Sequence, residues 1–146
     1  MNLQNVYILE DRGILYINGV DAKEFLQNIE RDSSKRHIFR RVKLCNTLAG
    51  NVCDLLTITG KTASMSEMNS RKVVVISARV HPGETVGSWM MHGLIEFLTG
   101  TSPEARVLRN HFIFKLVPKN KFFMRILATL PLSQYHYYWL FAVLMH

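Results

Sequence analysis

The sequence predicts an α/β fold: a mixed sheet with flanking helices, preceded by a small β-rich segment. Three observations carry that expectation. Val73-Val74-Val75-Ile76-Ser77-Ala78 is an unbroken apolar or small run, the pattern of a strand buried on both faces inside a mostly parallel sheet. A helix-period segment and then a β-branched and aromatic run over 111–118 follow it, giving strand, crossover helices, strand, a βαβ unit expected to be right-handed. Upstream, strand-like runs over 39–45 and 52–59 flank Ala49-Gly50-Asn51 and read as an antiparallel hairpin.

Taken in chain order, Val6-Tyr7-Ile8-Leu9 and Ile14-Leu15-Tyr16-Ile17 around Asp11-Arg12-Gly13 predict a first hairpin with a loose turn. Residues 21–31 read as a short helix with Phe25, Leu26 and Ile29 inward. After the second hairpin, residues 60–71 read as a polar, flexible connection. Val86, Trp89, Met90, Gly93, Leu94, Phe97 and Leu98 recur at helical spacing, so one apolar stripe is expected there, with His92 on the solvated side. Gly100 stops that helix. Ser102-Pro103-Glu104 starts another, with Ser102 as its cap, running to about residue 110. His111 is expected to open the next strand, which Pro118 closes.

Composition bounds the problem without solving it. With 146 residues, 48% of them apolar, one core-forming domain is the natural size. A net charge of +7 favours acidic partners, and glutamate-rich tails, nucleic acid and anionic lipid all fit that sign. The basic cluster Lys35-Arg36-His37 and Arg40-Arg41-Lys43 has only Phe39 as an interleaved aromatic, so a solvated strand edge is expected and nucleic acid is not. Cys45 and Cys53 lack metal-type spacing. They can face each other across the turn, although reduced thiols in a cytoplasmic protein are the default expectation. Residues 122–145 are apolar and aromatic with Arg125 as their only formal charge, but Pro131, Ser133, Gln134 and His136 interrupt the stretch, so no membrane span is expected.

The chemistry concentrates at His81-Pro82-Gly83-Glu84. Ligands of parallel sheets collect at the carboxyl ends of strands. His81 follows the predicted strand 73–78, and Glu84 opens the next helix, so imidazole and carboxylate can converge on one point. Both are zinc-type donors, and a His/His/Glu set with an open position is a catalytic arrangement. The same spacing also arises where a loop histidine precedes a glutamate that favours the positive end of a helix.

The run Ile76-Ser77-Ala78-Arg79-Val80-His81-Pro82-Gly83-Glu84-Thr85, with Ser88-Trp89-Met90-Met91 and Phe112-Ile113-Phe114-Lys115-Leu116-Val117-Pro118, resembles the zinc metallocarboxypeptidase family in its cytosolic carboxypeptidase branch. Leu44-Cys45-Asn46-Thr47-Leu48-Ala49-Gly50-Asn51 and Leu55-Leu56-Thr57-Ile58-Thr59 extend the likeness, which covers about residues 39–118. The resemblance implies an α/β fold with a mixed sheet and one catalytic zinc, with His81 and Glu84 as the first two ligands. It also implies hydrolytic removal of glutamates from protein carboxyl termini and side-chain branches, with tubulin as the usual substrate. On that reading residues 1–38 are an N-terminal β/helix segment, 39–118 a partial metallocarboxypeptidase domain, and 119–146 an apolar tail without family character.

The likeness ends at Pro118. Relatives continue into an Asn-Pro-Asp-Gly segment, substrate-binding Arg and Asn-Arg residues, a third ligand His and a catalytic Glu, whereas this sequence reads Lys119-Asn120-Lys121-Phe122-Phe123. No Asp or Glu follows Glu104, and His111, His136 and His146 lie outside family-like contexts. The expectation is an incomplete one-zinc site with no catalytic base, no assignable substrate-binding residue, and no turnover by this polypeptide. The change in character suggests an alternative transcript or a mispredicted exon. The tail is expected to cover strand surfaces or to remain an exposed apolar patch.

Overall fold

The computed structural model describes residues 22–46, 52–78 and 85–118. Residues 1–21, with the first predicted hairpin, and the tail 119–146 lie outside that set. The described elements are α1 (Ala22–Arg31), β1 (Phe39–Asn46), β2 (Val52–Ile58), α2 (Met65–Ser70), β3 (Lys72–Ser77), α3 (Thr85–Thr99), α4 (Pro103–His111) and β4 (Phe112–Val117). The strands form one sheet in the order β1-β2-β4-β3. β1 pairs antiparallel with β2, β2 antiparallel with β4, and β3 parallel with β4. The sheet is therefore mixed, as the sequence predicted, and β3 and β4 are the parallel neighbours of the expected βαβ unit.

Period-two alternation sorts the strand side chains onto two faces. Phe39, Ile58, Phe114 and Val74 stand in register across all four strands, with Leu56, Leu116 and Ile76 in the next row. These residues meet Leu26 and Ile29 of α1 and Met91, Ile95 and Leu98 of α3 in the main core. The opposite face carries Val73, Val75 and Ile113, joined by Met68 of α2, and a second group of Cys53, Leu55 and Val117 with Leu44 and Cys45. β3 is buried on both faces, which explains its lack of alternation.

Four expectations need correction. The face of α3 that enters the core is Ser88, Met91, Ile95, Leu98 and Thr99, whereas Val86, Trp89, Met90 and Phe97 of the predicted stripe are exposed. Apolar side chains surround most of this helix, so periodicity alone could not choose the inward direction. His92 is half-buried, its ring 4.0 Å from that of Phe25, because it borders the core-facing side. His111 ends α4 and is exposed, and the strand starts at Phe112.

Residues 60–71 are not a featureless connection. Ser64 caps α2 by accepting a hydrogen bond from the Glu67 amide, the S-x-x-E signature of a helix start. Arg71, 4% exposed, then ties several elements together: its guanidinium donates to Thr59 Oγ1 at 2.8 Å, Gly60 O at 2.6 Å, Arg109 O at 3.2 Å and Glu67 Oε1 at 2.8 Å. Gly60 sits close against this junction: a Cβ there would force the Asn110 side chain to move and would lie 3.2 Å from Arg109 O. Arg109, also buried, donates to Leu98 O in the last turn of α3 and to Gly100 O just past it, with burial holding its pKa below the ordinary arginine value.

The basic cluster behaves as a strand edge. Among the described strands β1 is an outer one, Arg40 and Lys43 are exposed, and Arg41 bridges to Asp54 at 2.8 Å and to Glu30 of α1 at 3.4 Å. The Asp54 carboxylate, through its hydrogen bond, raises the Arg41 pKa. Among the described residues no helix is long and apolar enough to cross a membrane.

Candidate metal centre

The described structure frames the candidate site from two sides. β3 and β4 run parallel through Ser77↔Val117, and the Ala78 amide continues the pairing by donating to Val117 O at 3.1 Å. The carboxyl ends of two adjacent parallel strands thus finish together at one edge of the sheet. That is the edge where open α/β sheets bind ligands. α3 begins at Thr85, so the segment 79–84 joins this strand edge to a helix amino terminus.

His81 and Glu84 both belong to that joining segment and lie outside the described residues. Their immediate flanks are fixed: Ser77 and Ala78 are 4% and 1% exposed, and Ser88, one turn into α3, is fully buried. Among the described residues the Ser88 Oγ has no hydrogen-bond partner. Its burial was invisible to a periodicity argument that followed only large apolar residues.

Among the described residues no three His, Cys, Asp or Glu side chains come together as a metal site. His111, one of the histidines that follow the family-like region, is exposed at the end of α4. His136 and His146 lie outside the described residues. The donor types of His81 and Glu84, neutral imidazole and carboxylate, remain those that zinc takes.

Farther along the sheet, Lys115 is a half-buried cation. Its ammonium donates to Thr57 Oγ1 at 2.9 Å, and burial, then the nearby Arg40 charge, push its pKa down.

Comparison with known proteins supplies the remaining observations. A family profile described as zinc carboxypeptidase matches residues 22–120. Cytosolic carboxypeptidase 1 of Danio rerio is 46% identical over 101 residues, which are 66% of this chain and 9% of that protein. Cytosolic carboxypeptidase 2 of Homo sapiens is 41% identical over 98 residues, 67% of this chain and 11% of that protein. The chain therefore spans about a tenth of the length of these curated relatives. Among solved structures, a metallo-carboxypeptidase from Burkholderia cenocepacia aligns with TM-score 0.54 and 28% identity, covering 68% of this chain and 26% of the other. The carboxypeptidase A of Helicoverpa armigera aligns with TM-score 0.56 at 17% identity, covering 68% and 23%, a likeness of fold alone.

Proposed function

The chain belongs to the zinc carboxypeptidase family, and from that premise we propose that it carries the first two zinc ligands, His81 and Glu84, of a cytosolic-type metallocarboxypeptidase. The observation that carries this reading is the joint end of β3 and β4 followed by the start of α3, which brackets His81-Pro82-Gly83-Glu84 in sequence. The family match includes both residues. When bound, zinc supplies Lewis-acid polarisation of a carbonyl and activation of water for peptide hydrolysis.

The proposed substrates are glutamates at protein carboxyl termini and side-chain branches, with glutamate-rich tails such as those of tubulin as the partner class and the cytoplasm as the compartment. Similarity to the cytosolic carboxypeptidases supports this, and a net charge of +7 suits acidic chains.

A second reading concerns the 146-residue polypeptide by itself. Residues 105–146 contain no Asp or Glu, so they provide no carboxylate base to act on a water at the site. The 146-residue chain is accordingly proposed to bind zinc weakly and to hydrolyse nothing, or at most to serve as a protein-interaction module. Purified chain incubated with zinc and a glutamate-tailed peptide should release no glutamate above a metal-free control. Robust release abolished by His81→Ala would overturn the inactivity while supporting the ligand assignment. Release that survives both His81→Ala and Glu84→Ala would overturn both.

A further inference from the structure

We propose that Cys45 and Cys53 are a redox dithiol that hydrogen peroxide closes into a cross-strand disulfide. The two residues are directly opposed in the β1–β2 pairing, both carry thiols, and both belong to the apolar group with Leu55 and Val117 on the second face of the sheet. Residues directly opposed across antiparallel strands have Cα atoms about 4.5–5.5 Å apart. That lies inside the roughly 4.4–6.8 Å window that a disulfide spans.

An irregularity in β1 creates the opposition. From Phe39↔Ile58 to Lys43↔Asp54 the pairing keeps one register, which, continued, would set Leu44 against Cys53 and turn Cys45 to the other face. The register instead shifts by one residue between Lys43 and Cys45, so Leu44 is the extra residue of a bulge and Cys45 comes to stand opposite Cys53. Without that extra residue the thiols would point to opposite faces.

Exposure assigns the roles. Cys45 is half-buried and Cys53 is 3% exposed, so the oxidant reaches Cys45 first. The Cys45 thiolate attacks one peroxide oxygen, giving a sulfenic acid and, after protonation, one water. The Cys53 thiol then loses its proton, its sulfur attacks the sulfenic sulfur, and hydroxide leaves as the second water. Two thiols are oxidised by two electrons and one peroxide is reduced to two waters. The bridge would pin the outer strand to β2 near the start of β2, at the end of the sheet where the antiparallel partner β4 finishes. This inference does not depend on the peptidase reading.

Trypsin cleaves after Lys43 and Lys61, so one peptide, 44–61, holds both cysteines of the chain. Full-length protein treated with peroxide, alkylated under denaturing conditions and digested should give this peptide two hydrogens lighter and without alkyl groups, reversibly with dithiothreitol. Cys45→Ser should abolish the loss. Equilibration with reduced and oxidised dithiothreitol should favour the intrachain bridge at least tenfold more in the folded chain than in urea. Full alkylation of both cysteines after peroxide, disulfides that join two chains, or equal equilibria in the folded and unfolded chain would overturn the proposal.

Discussion

Replacing Arg71 by Ala tests the packing argument at its most specific point. The arginine is 4% exposed and donates to Thr59 Oγ1, Gly60 O, Arg109 O and Glu67 Oε1. Removing it does not strand all four. Arg109 O still accepts from the Gly60 amide at 2.7 Å, Thr59 Oγ1 still donates to Phe112 O at 3.0 Å, and Glu67 is solvated. Gly60 O is the acceptor left behind, at about 1–3 kcal/mol for an unsatisfied buried group. Loss of the buried aliphatic stem adds about 2 kcal/mol at roughly 0.8 kcal/mol per methylene. The expected cost of Arg71→Ala is therefore about 3–5 kcal/mol, a large share of the stability of any small domain. Arg71→Met keeps the stem and should recover about 2 kcal/mol of that loss. Urea denaturation with a shared slope measures both. A cost below about 1 kcal/mol for Arg71→Ala, or a Met variant no more stable than the Ala variant, would refute the reasoning.

Three further predictions concern the core, the acid limb and the buried hydroxyl. Met91→Ala should cost about 2–5 kcal/mol, because Met91 is fully buried, while Trp89→Ala on the exposed side should cost under about 1 kcal/mol; the reverse order in thermal or urea unfolding would restore the stripe that periodicity favoured. Glu67 is held below the ordinary carboxylate range by the Thr62 hydroxyl and then by Arg71, and Asp32 by its hydrogen bonds with Ser34. Both pKa values are depressed by folding, so their stabilisation is present above the unfolded carboxylate pKa and is lost as pH falls through the folded values. The thermal midpoint should fall in that acid window, and Glu67→Gln should flatten the fall; an unchanged pH profile in that variant would count against the contacts of the Glu67 carboxylate with Thr62 and Arg71 as its cause. Ser88→Ala should leave stability unchanged or raise it by up to about 1 kcal/mol, since its hydroxyl is buried with no partner among the described residues; a loss above about 1 kcal/mol would show that the hydroxyl is bonded.

Much of the framework is readable in the residues, for reasons that differ by element. β3 announces itself because a strand buried on both faces has no room for polar residues, and Val73 to Ile76 supply none. α4 is readable from its start, with Ser102 accepting from the Ala105 amide as a cap and Pro103 behind it. The inward face of α3 is not readable, because Trp89, Met90, Phe97, Met91 and Ile95 are all apolar and only the tertiary partners on α1 and the sheet decide which of them is buried. The connection after Gly60 looks loose in sequence because its residues are polar, yet the Ser64 to Glu67 spacing encodes a helix start and Arg71 reaches a buried network that no local pattern displays. His81 and Glu84 were legible as donors from their position after a buried strand, and their spatial relation lies outside the described residues. The cysteine pair was legible only as a possibility, since one extra residue in β1 decides whether the thiols meet.

The central claim is that His81 and Glu84 together hold a zinc ion, and zinc titration of the full chain against a chromophoric competitor measures it most directly. Wild-type protein should bind zinc weakly, at less than one ion per chain in competition, and His81→Ala or Glu84→Ala should each remove that binding without changing the circular dichroism spectrum. Zinc binding of unchanged strength in the His81→Ala/Glu84→Ala double variant would contradict the account.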